Sequence, residues 1–163
     1  MQLVKATRPP LQPSERTPIL VMLHGIGSDE RDLLGLAPML DPRLHLVAYR
    51  APRPYGSGYS WFDITWDGIT ITFNESQAAE SLAALALDIA SLVSDIEQPQ
   101  LYVGGFSQGA AMTLGLLPEL QSSLSGALVL SGRKSESLVL PDLEGLPVLV
   151  QHGLYDNVIP VEN

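Results

Sequence analysis

The chain of 163 residues contains no cysteine, and this absence removes several kinds of chemistry at once. Without a thiol the protein has no thiolate nucleophile, no disulfide and no sulfur ligand for a metal ion. Basic residues are also few: 9 Lys and Arg stand against 18 Asp and Glu, which gives a formal net charge of −9. A surface of this sign repels phosphate backbones and anionic bilayers, so we expect neither nucleic acid nor a membrane surface as a partner.

Long hydrophobic runs are absent too, since no run approaches the roughly 18 apolar residues that a membrane-spanning helix needs. No apolar stretch follows the lysine in the N-terminal MQLVKATRPP, so no signal peptide is expected. Phosphate-binding motifs are missing, because GIG at 25–27 is too short for a dinucleotide and no GK[ST] occurs. We therefore predict a cytoplasmic protein that needs neither a cofactor nor a metal.

What the chain does contain is an alternation of short apolar runs with helical patterns. The predicted strands are PILVML (18–23), LHLVAY (44–49), QLYVGG (100–105), GALVLS (126–131) and LPVLVQ (146–151). Helical patterns lie between them at 28–40 and 75–97 and begin again at Ser107. This order predicts one α/β domain over 1–163, a mostly parallel sheet with helices on both faces. Residues 51–73 are predicted to form a long loop that ends in a short strand.

The segment LYVGGFSQGAAM at 101–112 contains the motif with the clearest chemistry. Its G-F-S-Q-G, from Gly105 to Gly109, follows an apolar strand and opens a helical run, which is the context of a nucleophile elbow. In such a bend the serine adopts strained dihedrals, and the glycines keep neighbouring side chains away from it. The helix that follows directs N–H groups at a developing oxyanion. We therefore interpret Ser107 as a nucleophile.

Two further segments provide what such a site needs. LHGIGSDERD at 23–32 places His-Gly-x-Gly directly after a strand, where a loop can direct a backbone N–H at the same oxyanion. QHGLYDNVIP at 151–160 places Asp156 after the last predicted strand, where the acid belongs in the chain order Ser, Asp, His. Without the other motifs an ordinary turn aspartate would be the favoured interpretation of Asp156, because Asp-Asn is good turn chemistry.

With these segments together, the chain resembles the phospholipase/carboxylesterase family of small α/β-hydrolases, which includes bacterial carboxylesterases and acyl-protein thioesterases. The resemblance rests on LHGIGSDERD, RAPRPYGSGYSWFDI, GGFSQGAAM and VLVQHGLYDNVIPV, which follow the family's order over nearly the whole chain. It implies an α/β-hydrolase fold in which Ser107 is the nucleophile and Asp156 is the acid. It also implies an oxyanion hole made by the N–H groups of Ile26 and Gln108, and it places Trp61 by the acyl pocket.

The departure from the family concerns the histidine of the triad, which the family has after Asp156, beyond one more helix and strand. The histidines of this chain are His24, His45 and His152. We expect His24 near the site but bonded to backbone, His152 bracing the loop of the acid, and His45 at a strand edge. Three explanations stay open. The chain is a portion of a longer protein, missing the last strand and helix of the fold, or it is naturally shortened, or it borrows a histidine from a second chain.

The sequence thus predicts a serine carboxylesterase that hydrolyses esters with short to medium acyl chains through an acyl-enzyme. Lysophospholipase and acyl-protein thioesterase activities are the alternatives within this class. A non-catalytic hydrolase-like binding module is the alternative from another class, favoured by the missing histidine and opposed by the intact elbow. The expected partner is a small-molecule ester, and the apolar, uncharged edge strand 146–151 predicts pairing with a second copy of the chain.

Overall fold

The computed structural model describes residues 3–66, 71–143 and 145–161. Its strands are β1 (Lys5–Arg8), β2 (Ile19–Leu23), β3 (His45–Tyr49), β4 (Arg53–Tyr55), β5 (Gly58–Ser60), β6 (Ile64–Trp66), β7 (Ile71–Phe73), β8 (Leu101–Phe106), β9 (Leu124–Leu130) and β10 (Val148–Gln151). The α-helices are α1 (Glu75–Val93) and α2 (Gln108–Leu120), and short 3₁₀ segments cover Leu33–Met39 and Gln121–Ser123.

A six-stranded sheet in the order β1-β3-β2-β8-β9-β10 forms the centre of the molecule. Every neighbouring pair is parallel except β1 with β3, which confirms the predicted, mostly parallel α/β architecture. The strand β8, which ends directly before Ser107, lies between β2 and β9. Because parallel strands end at the same edge of a sheet, the segments that follow β2, β8 and β9 meet around this serine.

The strands β2 and β8 are largely buried on both sides, as their nearly continuous hydrophobic sequence predicts. The same expectation is wrong for β10, which lies at the end of the sheet and is mostly exposed. In β2, Val21 and Leu23 face the cluster that includes side chains of α1 and α2, while Leu20 and Met22 face a second cluster. The second cluster is covered by side chains of the 3₁₀ segment rather than by an α-helix. The helical pattern at 28–40 is thus only partly correct, because Pro38 lies inside this segment and cannot donate an α-helical hydrogen bond.

The predicted long loop at 51–73 is instead two hairpins in its described part, β4 with β5 and β6 with β7. Each of these strands has three residues, too short to show an alternating pattern in a stretch rich in Pro and Gly. The first hairpin supports the loop after β2: the Gly27 N–H donates to the Tyr59 carbonyl at 2.8 Å, and the Tyr59 N–H donates to the Ser28 carbonyl at 2.9 Å.

Helix α1 begins where its sequence predicts, since the Asn74 side chain accepts a hydrogen bond from the Gln77 N–H at 3.2 Å. The helix is long and apolar enough, by length and composition, to cross a membrane. A single helix of this kind is weak evidence for a span, because core helices of globular proteins meet the same criterion. In the present fold its buried side chains, among them Leu85 and Ile89, join the core against the sheet.

Candidate active site

Ser107 occupies the sharp bend between β8 and α2, with φ 55° and ψ −115°. A positive φ is unfavourable for a residue with a side chain, so this conformation is strained. The surrounding backbone holds it in place: the Ser107 N–H donates to the Leu130 carbonyl at 2.9 Å, and the Ser107 carbonyl accepts from Ala110 and Ala111. The serine is half-buried and its side chain makes no capping hydrogen bond to the helix.

Glycines let three stretches of backbone meet at this bend. A Cβ atom on Gly105 would collide with the backbone of Gly109, and a Cβ atom on Gly109 would collide with the carbonyl of Leu23. On Gly25, in the loop after β2, a Cβ atom would stand 3.4 Å from the Cβ of Ser107. The motif glycines therefore serve close packing of β2, β8 and α2, and the His-Gly-x-Gly loop lies directly against the serine.

Two backbone N–H groups beside Ser107 are available to an oxyanion. Gln108 is the first residue of α2, and the first N–H groups of a helix have no acceptor within it. Ile26 lies in the loop after β2, and within the described residues its N–H donates to no carbonyl. Both residues line the same pocket as Ser107. The positive end of the helix dipole adds to the stabilisation of negative charge at this point.

The side chain of Gln108 has a separate, structural task that the sequence did not reveal. It is buried, its Oε1 accepts the Trp61 N–H at 2.8 Å, and its Nε2 donates to the Phe62 carbonyl at 2.7 Å. Trp61 is fully buried, and its indole N–H donates to the His24 carbonyl at 2.9 Å. The structure thus places Trp61 behind the bend and in the core, whereas the neighbouring Phe62 lines the pocket of the serine.

Substitution of Gln108 by leucine is expected to lower the free energy of unfolding by about 2 kcal/mol, because it leaves the buried Trp61 N–H without a partner and the Phe62 carbonyl with only the Ser60 hydroxyl. Urea denaturation of the variant measures this loss. Gln100→Leu, at an exposed site, is the matched control and should change stability by no more than about 0.5 kcal/mol. Equal stability of the two variants would show that the buried amide is not needed to join α2 to residues 61–62.

His24 is bonded to backbone, as expected, and has no free ring nitrogen. It is 1% exposed, its Nδ1 lies 2.7 Å from the Gly25 carbonyl, and its Nε2 accepts the Ala51 N–H at 3.0 Å. These partners define the tautomer with the proton on Nδ1. Burial lowers the pKa of His24, more than the Gly25 carbonyl and nearby carboxylates raise it. A neutral imidazole with both nitrogens engaged is a brace for the loop and not a base for Ser107.

His45 lies at the opposite edge of the sheet from the serine. It begins β3, level with Ile19, whereas Leu23 at the other end of β2 is level with Gly105. At about 3.3 Å per residue, these four steps separate His45 from the carboxyl edge by roughly 13 Å. Its imidazole is therefore too far away to take a proton from Ser107.

Asp156 shapes the loop that follows β10 and brings that loop to the pocket. Its Oδ1 accepts the N–H groups of Val158 and Ile159, both at 2.9 Å. These two hydrogen bonds, with the nearby His152, hold the pKa of Asp156 below its usual value. The His152 Nε2 lies 2.7 Å from the Ile159 carbonyl and 3.6 Å from Asp156 Oδ2. His152 therefore braces this loop, as predicted, and Val158 and Ile159 line the pocket of Ser107.

The pocket at the serine has a volume of about 80 Å³ and mostly apolar walls. Its described lining residues are Ile26, Phe62, Ile64, Ile71, Phe73, Ser107, Gln108, Ala111, Arg133, Val158 and Ile159. Sequence reasoning missed Arg133, which follows β9 and is charged. The strand order could have indicated it, because β9 ends beside the strand that leads into Ser107, and the residues after β9 therefore lie near the serine.

The strained serine bend, the loop after β2 and the parallel sheet are found together in a known family of proteins. The family model for phospholipase/carboxylesterase matches residues 10–163, and the chain therefore belongs to this family of α/β-hydrolases. It is similar to acyl-protein thioesterase 1 of Eremothecium gossypii, with 29% identity over 86% of this chain and 66% of that protein. Among solved structures it resembles esterase PE8, with 28% identity, a TM-score of 0.82, and coverage of 99% of this chain and 80% of the other.

A carboxylesterase from Mesorhizobium loti is a further structural relative, with 26% identity and a TM-score of 0.73. The alignment covers 83% of this chain and 65% of that enzyme. The chain thus spans about two thirds of the length of this enzyme and of the Eremothecium thioesterase. The α/β-hydrolase fold predicted from the sequence is confirmed.

Proposed function

We propose that the chain functions as a serine carboxylesterase on esters with short to medium acyl chains. The Ser107 oxygen attacks the ester carbonyl carbon, and the N–H groups of Ile26 and Gln108 stabilise the negative charge on the carbonyl oxygen. The alcohol leaves, and water then hydrolyses the acyl-enzyme. The observation that supports this mechanism most is the strained bend of Ser107, beside which the N–H groups of Ile26 and Gln108 have no backbone acceptor among the described residues.

Transfer of the serine proton requires a base, and in this mechanism Asp156 orients the histidine that accepts it. Of the described histidines, His24 has both ring nitrogens bonded, and His45 lies at the far edge of the sheet. His152 donates to or accepts from its own loop. None of the three is assigned as the base, so in this proposal the histidine that accepts the serine proton comes from a second chain or from further residues of a longer protein.

Thioesters are the second substrate class, supported by a relative named acyl-protein thioesterase, and lysophospholipids are the third. Relative rates on a short acyl ester, its thioester analogue and a lysolipid distinguish these classes. We expect the short ester to be hydrolysed fastest. The cytoplasmic location predicted from the sequence and the pairing of edge strand β10 with a second copy remain part of this proposal.

The experiment that tests the nucleophile is covalent labelling with a fluorophosphonate. We expect one modification per chain, located at Ser107 by mass spectrometry and abolished in Ser107→Ala. Ser131→Ala is the matched control, because Ser131 also has a positive φ and also follows a strand at the same edge of the sheet. Labelling that survives in Ser107→Ala would show that another residue is the nucleophile, and no labelling at all would favour the non-catalytic binding module instead.

A further inference from the structure

Arg133 carries the one charge among the described residues that line the pocket of Ser107. Its position follows from the sheet. The carbonyl of Leu130, at the end of β9, accepts the Ser107 N–H at 2.9 Å, and Arg133 follows three residues later. Between them, Gly132 packs so closely on Ala110 that a Cβ atom there would collide with the Ala110 side chain. The chain therefore crosses the start of α2 and delivers an arginine to the pocket.

The described contacts of the guanidinium leave part of its hydrogen-bonding capacity unused. Nη1 donates to the Ile71 carbonyl at 3.0 Å, and Nη2 lies 3.5 Å from the Glu136 carboxylate. The guanidinium carbon stands 6.0 Å from the centre of the Phe73 ring. Glu136 is a weak partner, since its side chain is 87% exposed while that of Arg133 is only 17% exposed. An arginine has five N–H donors, so several remain for a ligand.

A largely buried cation in an apolar pocket is costly unless its charge is used. Binding pockets typically combine apolar walls with a few polar groups that determine which ligand binds. The planar fork of a guanidinium matches the two oxygens of a carboxylate.

We infer that Arg133 is a specificity-determining residue, which selects substrates of Ser107 that carry a carboxylate near the ester. As a statement about substrates, this rests on the proposed function. As a statement about binding, it does not, because the guanidinium can bind a carboxylate whether or not Ser107 reacts. The opposing interpretation is purely structural: Arg133 would only hold β7 through Ile71 and Phe73, and the pocket would then bind acids and amides alike.

The test compares butanoate with butanamide, which have the same shape but differ in charge, by NMR titration of the protein. All measurements are made in the Ser107→Ala background, so that they do not depend on the nucleophile. We expect butanoate to bind at least about tenfold more tightly than butanamide. Arg133→Gln should abolish this preference, and Arg133→Lys, which keeps the charge but not the fork, should reduce it several-fold.

Lys134→Gln is the matched control, because it removes the same charge from the neighbouring residue. Lys134 bonds the carbonyls of Ser135 and Leu138 and does not line the pocket of Ser107, so its removal should leave the preference intact. Equal binding of acid and amide would overturn the inference, as would no measurable binding of butanoate or a preference that survives in Arg133→Gln. If Arg133→Gln does not fold, an unchanged preference in Arg133→Lys refutes the role of the fork.

The outcomes also separate this inference from the proposed function. If the protein prefers butanoate through Arg133 but is not labelled at Ser107, the carboxylate site is supported and the esterase proposal is refuted. If the protein is labelled at Ser107 but does not distinguish acid from amide, the esterase proposal is supported and the role of Arg133 is refuted. Hydrolysis of a butanedioate monoester and of its neutral methyl ester then tests the preference on substrates.

Discussion

Replacing Gly109 by alanine is expected to destabilise the protein by about 3 kcal/mol or more and to prevent labelling of Ser107. The added Cβ would collide with the carbonyl of Leu23 and would stand 2.7 Å from the carbonyl oxygen of His24. Both obstacles are backbone and cannot rotate away as a side chain could. Helix α2 would have to move off the sheet, which would displace the Gln108 N–H and relax the strained bend.

Urea denaturation and fluorophosphonate labelling measure the two effects of this change. Gly35→Ala is the control, because no atom of the described residues, apart from its own neighbours in the chain, lies within 4 Å of its added Cβ; it should alter stability by no more than about 0.5 kcal/mol. Gly105→Ala should resemble Gly109→Ala, since its Cβ would meet Gly109 itself, and the two effects should not add in the double variant. A Gly109→Ala protein of native stability that is still labelled at Ser107 would show that the close packing of Gly109 on the Leu23 carbonyl is not needed.

Replacing Arg50 by methionine should cost about 3 kcal/mol at neutral pH, because it leaves the buried carboxylate of Glu30 with only the exposed Arg31, 4.0 Å away, as a counter-charge. Glu30 is 5% exposed, and Arg50 binds it with two hydrogen bonds of 2.6 and 2.8 Å. The same guanidinium stacks 4.6 Å above the ring of Tyr59 and donates to its hydroxyl. Arg50 thus ties the loop that carries Ile26 to the first hairpin, and its loss should also slow labelling of Ser107.

At acidic pH the free energies of unfolding of Arg50→Met and of the wild type should become more alike than at neutral pH. In the wild type, the hydrogen bonds from Arg50 lower the pKa of Glu30. The stabilisation is therefore present above the unfolded pKa of about 4.3 and is lost as the pH falls through the folded value. In the variant, loss of the Arg50 hydrogen bonds raises the pKa of Glu30 above its wild-type value, because burial then opposes the charge with only Arg31 to favour it. The penalty is therefore largest at neutral pH and falls on protonation. Denaturation curves between neutral and mildly acidic pH measure this convergence.

Two comparisons control for general effects of losing an arginine. Arg43→Met removes a pair with Asp41 whose side chains are 62% and 39% exposed, and its loss should change stability far less than the loss of Arg50, because solvent screens an exposed pair. Arg50→Met combined with Glu30→Leu replaces both charges and should recover much of the loss. Suppose that Arg43→Met and Arg50→Met prove equally stable, or that the double variant is no more stable than Arg50→Met. The buried charge of Glu30 is then not the cause of the lost stability.

Local sequence was sufficient to locate the strands that are short apolar runs, including β10, whose residues are mostly exposed. The five predicted strands are all present, each within two residues of its expected limits, whereas β1 was missed because KATR is short and polar. The buried side chains of α1 are Ala78, Ser81, Leu85 and Ile89, whereas the equally apolar Ala79 is exposed. The helix is apolar on most of its surface, so its sequence does not identify which stripe meets the sheet.

What the linear sequence determined is the chemistry of adjacent residues: a serine between two glycines after a strand dictates the bend, and a helix that begins at Gln108 must leave its first N–H unpaired. What only the tertiary structure decided is which distant residues surround that bend. Trp61 is buried in the core, both ring nitrogens of His24 are hydrogen-bonded to backbone, and Arg133 lines the pocket of Ser107. The physical reason is that backbone strain depends on neighbours in the chain, whereas a side chain's surroundings depend on strand order and close packing.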